Sequence, residues 1–434
     1  MKKYIRGWGR NILSEVNISF PSNLNQLKNR VKKNCIARGL GRSYGDSSIQ
    51  PSNTIVTTNL DKIISFDKQK GIIEVESGIS IKKILNVIVK SGWFLPVTPG
   101  SKMITIGGMV ASDVHGKNHH KDGNFSNFVL GLKLLNNKKK IIECNKKKNS
   151  QIFKFTLGGM GLTGIIYSCR IKLKKINSHK IITETIKNSN LKETLESINK
   201  SKNWDYNVAW IDTSSKKKNL GRSILTRGYF SKKRESDIFF NDSKSFISNL
   251  PNIFPSGLMN SFFIKLLNEI YFILPRAYKK ITNINDFFYP LDKLDNWNII
   301  YGNQGFISYQ CSVPLKNSLN SISEILRIIR ENKIYSFVSV LKSMKKNNYN
   351  LSFGQQGYTL VFDFPIYDRI FEALDSIDEI VKKNKGKIYL TKDSRIKREN
   401  FYKINKEFRN KKFKNFRKKI DFYFNSLQSK RLGL

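Results

Sequence analysis

Three glycine-rich loops between residues 37 and 164 constrain the fold of this chain more than any other feature. The first, Ala37-Arg38-Gly39-Leu40-Gly41-Arg42-Ser43-Tyr44-Gly45-Asp46, follows an apolar run. The second leads from Pro99-Gly100-Ser101 to Thr105-Ile106-Gly107-Gly108, and the third is Leu157-Gly158-Gly159-Met160-Gly161-Leu162-Thr163-Gly164. Glycine lets backbone amides approach a phosphate closely, and successive N–H groups in such a loop form an anion-binding concavity. A single loop of this kind is equally well a surface turn. Three in one lobe, none in the strand-to-helix G-x-G-x-x-G arrangement, point to a nucleotide held in a groove that is not a Rossmann crevice.

Around these loops the pattern is α+β. From Asn34 to Ile73, short runs rich in β-branched residues are broken by Gly, Asp and Asn, which reads as strands and turns. Ser80 is placed to cap a helix with Ile81, Ile84, Leu85 and Ile88 on one face and Gly92 just past its end. Residues 96–108 read as a loop, and the third glycine loop runs into a long alternating strand. Beyond about residue 178 the elements lengthen, with a helix near Leu191–Ile198 and a strand and helix theme up to Gly386. The tail from Lys387 holds a strand, KIYLTKDSR, and charged helical pattern. At 434 residues, 39% of them hydrophobic, the chain exceeds one ordinary core and two lobes are expected.

The balance of 77 Lys+Arg against 33 Asp+Glu, a formal +44, raises nucleic-acid binding as a possibility to weigh. The lysines are scattered through nearly every segment, and no finger, zipper or RNA-recognition motif focuses them, so a generally basic surface is the better reading. Such a surface attracts anionic lipid or a phosphorylated substrate. Cys35, Cys144, Cys169 and Cys311 lie far apart without C-x-x-C spacing, which fits a reducing compartment. The N-terminus is basic but has no apolar signal core, so a cytoplasmic protein is expected. Gly257–Pro275 is the most apolar stretch, interrupted by Lys265 and Glu269. It reads first as a core-facing helix and second as a helix lying on a membrane surface.

Three of the four histidines, His115, His119 and His120, fall within six residues. Only Asp113 and Asp122 accompany them, and the glycine-rich approach suits a large planar ligand better than a metal, so no metal centre is expected. The plain alternative is a polar loop whose histidines cap neighbouring backbone.

GLGRSYGD, PVTPGSKMITIGG, DVHGKNHH, GGMGLTGII, FYPLD, SYQ, VFDFPI and YLTKDSR occur in this order along nearly the whole chain. In this the chain resembles the decaprenylphosphoryl-ribose 2-oxidases, flavoproteins of the vanillyl-alcohol oxidase superfamily; HGKNHH and TKDSR are the specific elements. The resemblance implies a two-lobed α+β protein with a PCMH-type FAD-binding domain at 1–178. An α+β substrate domain is inserted at 179–386, and the segment 387–434 completes the FAD-binding domain. It further implies FAD contacts from Arg38, Gly39, Leu40, Gly41, Arg42, Ser43, Tyr44, Gly45 and Asp46, from Gly100, Thr105, Ile106, Gly107 and Gly108, and from Ser112, Asp113, Val114 and His115. Gly161, Ile165 and Tyr389 complete that set, with His115 and Ile165 near the flavin ring. Arg42 stands where many relatives in the superfamily carry a flavin-linked histidine, so noncovalent FAD is expected.

On the same grounds the substrate face comprises Lys117, Trp210, Gln310, Lys342, Val361 and Lys392, with Lys392, His115 and Tyr44 as catalytic candidates. A cation near the flavin stabilises its reduced anion, the role expected of Lys392, while Lys117 and Lys342 would hold a phosphate. The proton acceptor is left between His115 and solvent. Val361 replaces the cysteine of the mycobacterial members, Ser308 a glutamine and Phe288 a tyrosine, which bears on sugar and lipid specificity. The implied reaction is oxidation of the 2-hydroxyl of a polyprenyl-phosphate-linked ribose to a keto intermediate, which an NAD(P)H-dependent reductase partner would convert to the arabino epimer. Peripheral contact with the inner face of the cell membrane would accompany it. The rivals are a soluble alditol or aldonolactone oxidase and a basic nucleic-acid-binding protein with an inert flavin fold.

Overall fold

The computed structural model describes residues 1–233, 240, 254–347, 349, 351–409 and 411–434. At the N-terminus, β1 (Lys2–Arg6), β2 (Leu13–Ser19), β3 (Ile36–Arg38) and β4 (Thr54–Val56) form a sheet of order β1-β2-β4-β3. Next come β5 (Ile63–Asp67), β6 (Ile72–Glu76), β7 (Trp93–Phe94), β8 (Val129–Leu135), β9 (Ile141–Cys144), β10 (Ile165–Lys172) and β11 (Lys174–Lys175). Five of these make an antiparallel sheet, β5-β6-β10-β8-β9, and β7 pairs with β11. The mixture of helix and sheet is α+β, as the pattern indicates.

Ser80 caps the helix Ile81–Ile88 by accepting from the Lys83 amide, and Ile81, Ile84, Leu85 and Ile88 are all buried. Where residues 96–108 read as a loop throughout, its end instead starts the helix Ile106–Ser112. Two consecutive glycines weaken the helical signal there. Burial of Ile106, Met109 and Val110, with Thr105 accepting from the Gly108 amide, overrides it.

The remaining strands, β12 (Lys180–Asn188), β13 (Tyr206–Ile211), β14 (Ser223–Phe230), β15 (Lys279–Asn283), β16 (Phe306–Pro314), β17 (Ser339–Met344), β18 (Gly357–Pro365) and β19 (Lys387–Ile388), form one eight-stranded sheet. Its order is β15-β12-β14-β13-β17-β18-β16-β19, antiparallel throughout. Side chains alternate across a strand, so register decides what each face carries. Ile307, Tyr309, Cys311 and Val313 of β16, Leu341 of β17 and Leu360, Phe362 and Phe364 of β18 enter one core. The helices Ser318–Glu331 and Ile370–Lys383 fill it from the other side with Ile322, Ile325, Leu326, Ile329, Leu374 and Ile377. The opposite face carries Gln310, Ser308, Val340, Lys342, Val361 and Asp363.

The apolar stretch Gly257–Pro275 holds the helix Ser261–Ile273. Its Ile264 enters the core with Phe263 and Leu267 packed alongside, while Phe262, Leu266, Ile270 and Ile273 on the other side are exposed. One expectation is corrected. The strand expected through KIYLTKDSR stops at Ile388. Lys392 lies in a tight turn, its amide donating to the Tyr389 carbonyl. From there the chain returns to the N-terminal strands, where the Asn425 amide donates to Cys35 O and the Leu427 amide to Ile49 O.

Candidate active site

A groove of about 120 Å3 runs past all three glycine-rich loops, lined by Gly39 to Ser43, Thr105, Gly107, Gly108, Ser112, Gly161 and Gly164. The loops pack so closely that a Cβ on Gly39 would lie 2.2 Å from Thr105 Oγ1, and one on Gly107 2.9 Å from Ser77 Cβ. Gly41 is held at φ +68°. The amides of Leu40, Gly41 and Arg42 donate to no acceptor among the described residues, which leaves them for an anion. A chamber of about 250 Å3 adjoins the groove, and Arg42, Ile104, Val114 and Thr391 line both. Small residues and free amides along a groove that widens into a chamber fit a large nucleotide cofactor such as FAD.

The chamber gathers Tyr44, Gly100, His115, Gln310, Lys342, Val361, Tyr389 and Lys392 from seven separate stretches of chain. Strand alternation explains the sheet residues: Gln310 pairs with Val361 across β16 and β18, and Val361 with Val340 across β18 and β17. Lys392 Nζ sits 3.3 Å above the centre of the Tyr44 ring and 3.8 Å from Asp363 Oδ1. His115 is buried between Gln310, whose amide nitrogen is 2.8 Å from Nε2, and Lys342, whose Nζ is 3.3 Å from Nδ1. Tyr389 and Phe353 flank its ring.

Several sequence-derived candidates lie off these spaces. Ile165 buries its side chain in a core cluster with Leu27, Val31 and Leu135, and it is Gly164 and Ile166 that line the groove, because alternation along β10 turns Ile165 away. Trp210 sits on the polar face but opposite Val340, one strand beyond the chamber. It donates to Phe337 O at 2.9 Å and is covered by Tyr271. The Lys117 ammonium donates to Phe287 O and lies 4.5 Å from the Phe287 ring centre, away from the chamber. Arg38, Gly45, Asp46, Ile106 and Asp113 support from behind. Arg38 donates to Arg6 O and Ser48, Gly45 packs on the Asp393 carbonyl, and Asp46 pairs with Arg431. Ile106 is core, and Asp113 accepts from the Ser126 amide and the Ser352 hydroxyl.

Sequence reasoning missed Trp8, Asp292, Asp295, Trp297 and Asp363, all of which line the chamber. A signal existed for Asp363, a lone carboxylate inside the apolar run VFDFPI.

Arg42, Lys342 and Lys392 share the chamber wall with Asp292, Asp295 and Asp363. Burial, with Lys392 nearby, presses the Lys342 pKa down to about 7. Burial alone lowers Lys392 to about 8, which Asp363 opposes. Burial and the positive charge of Lys342 hold His115 well below its usual value, so its imidazole is neutral. His119 and His120 bond to neighbouring backbone, Nδ1 of the former accepting from the Lys345 amide and Nε2 of the latter meeting Trp204 O. No group of three metal-ligating side chains occurs among the described residues.

Residues 22–145 match the family model of an FAD binding domain. The chain is 32% identical over 419 residues to the decaprenylphosphoryl-β-D-ribose oxidase of Mycolicibacterium smegmatis, covering 92% of this chain and 91% of that protein. More distant likenesses include the mitochondrial L-galactono-1,4-lactone dehydrogenase of Arabidopsis thaliana, 25% identical over 41% of this chain and 29% of that one. The human Δ(24)-sterol reductase is 25% identical over 27% of this chain and 23% of that one.

Proposed function

This chain belongs to the decaprenylphosphoryl-β-D-ribose oxidase family and is an FAD-dependent oxidoreductase. From that premise we propose that it oxidises the 2-hydroxyl of a polyprenyl-phosphate-linked ribose to a 2-keto sugar, the first half of an epimerisation completed by a separate NAD(P)H-dependent reductase. The observation that carries the proposal is the continuity of groove and chamber through Arg42, Ile104, Val114 and Thr391, which brings a glycine-lined groove and a space walled by charged side chains of both signs to one junction. In this reading residues 1–178 and 387–434 form the flavin lobe, and 179–386 the substrate lobe inserted in it.

When bound, FAD supplies the hydride acceptor. Leu40, Gly41 and Arg42 offer amides to its pyrophosphate, and Lys392 supplies the positive charge that favours the reduced anion. Lys342 holds the substrate phosphate, and the hydroxyl proton passes to His115 or to solvent. Arg42, standing where many relatives carry a flavin-linked histidine, lines the groove, which supports noncovalent attachment.

The purified protein should be yellow, release its flavin into the supernatant on acid precipitation, and bleach under anaerobic addition of polyprenylphosphoryl ribose. A protein that stays colourless when supplied with FAD overturns the assignment. Bleaching by an alditol or aldonolactone but not by the lipid-linked sugar assigns the site to soluble sugars.

A lipid-linked substrate needs a route from a bilayer, and the helix Ser261–Ile273 supports one. No described helix is long and apolar enough to cross a membrane. Phe262, Leu266, Ile270 and Ile273 form an exposed apolar stripe beside Lys265, Arg276, Lys279 and Lys280. Tyr271 of the same helix packs on Phe337, next to Val338 in the chamber wall. Glutamate at both Phe262 and Ile270 should weaken sedimentation with anionic phosphatidylglycerol vesicles roughly tenfold or more. Equal sedimentation of variant and parent would remove the membrane contact.

A further inference from the structure

We propose that Asp292 is the specificity-determining residue of the chamber, its carboxylate accepting a hydrogen bond from a pentose hydroxyl other than the one oxidised. The inference rests on the sugar-oxidase reading of this chamber and adds the group that orients the ring.

Asp292 is half-buried and lines the chamber from the short helical turn Pro290–Lys293. Residues 98–102 hold that turn in place. The Tyr289 hydroxyl and Thr98 Oγ1 are 2.7 Å apart, and the Lys102 amide donates to Asp292 Oδ2 at 2.6 Å. The Ser101 hydroxyl is a further donor to the carboxylate. A carboxylate has room for about four donors. Among the described residues these two, both from the second glycine-rich loop, are the ones it has, and no cation lies within ion-pair distance of it. Because the side chain is part of the chamber wall and partly exposed, its remaining lone pairs are reached from the chamber.

The charges of the wall select what comes there. The substrate phosphate is drawn to Lys342, which stands beside His115, and is repelled by a carboxylate. A second cation is disfavoured by Arg42, whose charge already reaches Asp292. The group that meets Asp292 is therefore a neutral donor, and a pentose offers hydroxyls. Asp295 shares the wall but is exposed, so water competes for the same bond. A site built to bond a hydroxyl discriminates strongly against analogues lacking it, because its own polar group is then left unpaired.

The experiment uses FAD-loaded protein, parent and Asp292→Asn, with polyprenylphosphoryl ribose and its 3-deoxy and 5-deoxy analogues. Binding is read from the fluorescence of Trp8 and Trp297, which line the chamber, and turnover from flavin bleaching. Asparagine keeps an oxygen for the Lys102 amide, so the loop stays in place. The parent should bind one of the deoxy analogues roughly 10- to 100-fold more weakly than the ribose substrate. Asp292→Asn should keep its flavin, bind the ribose substrate roughly 10-fold more weakly, and bind that analogue as the parent does. Asp292→Glu, which keeps the charge but moves the acceptor, should show the same pattern and serves if the asparagine variant sheds its flavin. Because binding is read without turnover, a parent protein that binds the pentose but fails to oxidise it refutes the oxidase reading and leaves this proposal standing on the same comparison. Equal loss for ribose and both analogues, the pattern of a residue acting only through the Ser101–Lys102 loop, overturns it. So does unchanged binding by Asp292→Asn, flavin loss in both variants, or a parent that binds the three probes alike or binds none of them.

Discussion

Alanine in place of Lys392 leaves FAD bound and slows substrate-driven bleaching of the flavin about 100- to 1000-fold, measured by anaerobic stopped-flow absorbance. The size follows from removing one preorganised charge from a site shielded from water. Lys392 is held by contacts that do not depend on substrate: the Tyr44 ring 3.3 Å away, the Asp363 carboxylate and the turn that begins at Tyr389. Burial lowers its pKa to about 8 despite Asp363. The cation is therefore complete well below that pH and is lost as pH rises through it. Reduction by the parent protein should slow above about pH 8, and Lys392→Arg, which keeps its charge there, should lack that alkaline limb. A Lys392→Ala protein that bleaches within about threefold of the parent refutes the role.

Arg431→Ala should unfold at a temperature several degrees lower and lose flavin on gel filtration. Arg431 donates from Nε and Nη2 to Asp46 at 3.1 and 2.9 Å, from Nη2 to Asp393 at 2.9 Å and from Nη1 to Ile396 O at 2.7 Å. Asp46 belongs to the first glycine loop, and Asp393 follows Lys392. One guanidinium therefore pins the phosphate loop to the turn carrying the chamber's cation. Removing it strands two buried carboxylates, a change that costs about 3–5 kcal/mol where one member of a buried pair is deleted. Lysine should recover little, since a single ammonium cannot reproduce the fork. Thermal denaturation and flavin content check this together, and a variant matching the parent in both would show the brace to be dispensable.

What the sequence discloses and what it hides follow from the range of the interactions. The helix after Ser80 is legible because its cap, apolar face and terminal glycine are local. The glycine loops are legible because backbone freedom is written in residue type. Ile165 was misplaced because neighbouring residues on β10 face opposite ways, and a shift of one position exchanges groove for core. Trp210 is expected on the substrate face, but the pairing of β13 with β17, set between residues about 130 apart, leaves it one strand beyond the chamber. Asp363 went unseen for the converse reason. Its neighbours Phe362 and Phe364 make the run look apolar, and only the register of β16 and β18 shows that the carboxylate faces the other way.

The return of the chain to its own beginning has a bearing on synthesis. Asn425 and Leu427 donate to Cys35 and Ile49, and Gln428 to Leu390. The ribosome finishes the first glycine loop several hundred residues before it makes the segment that braces it. Contacts so distant along the chain form late and fold slowly. A nascent chain stalled before residue 424 should therefore hold FAD poorly, so cofactor loading becomes a step that follows translation instead of accompanying it.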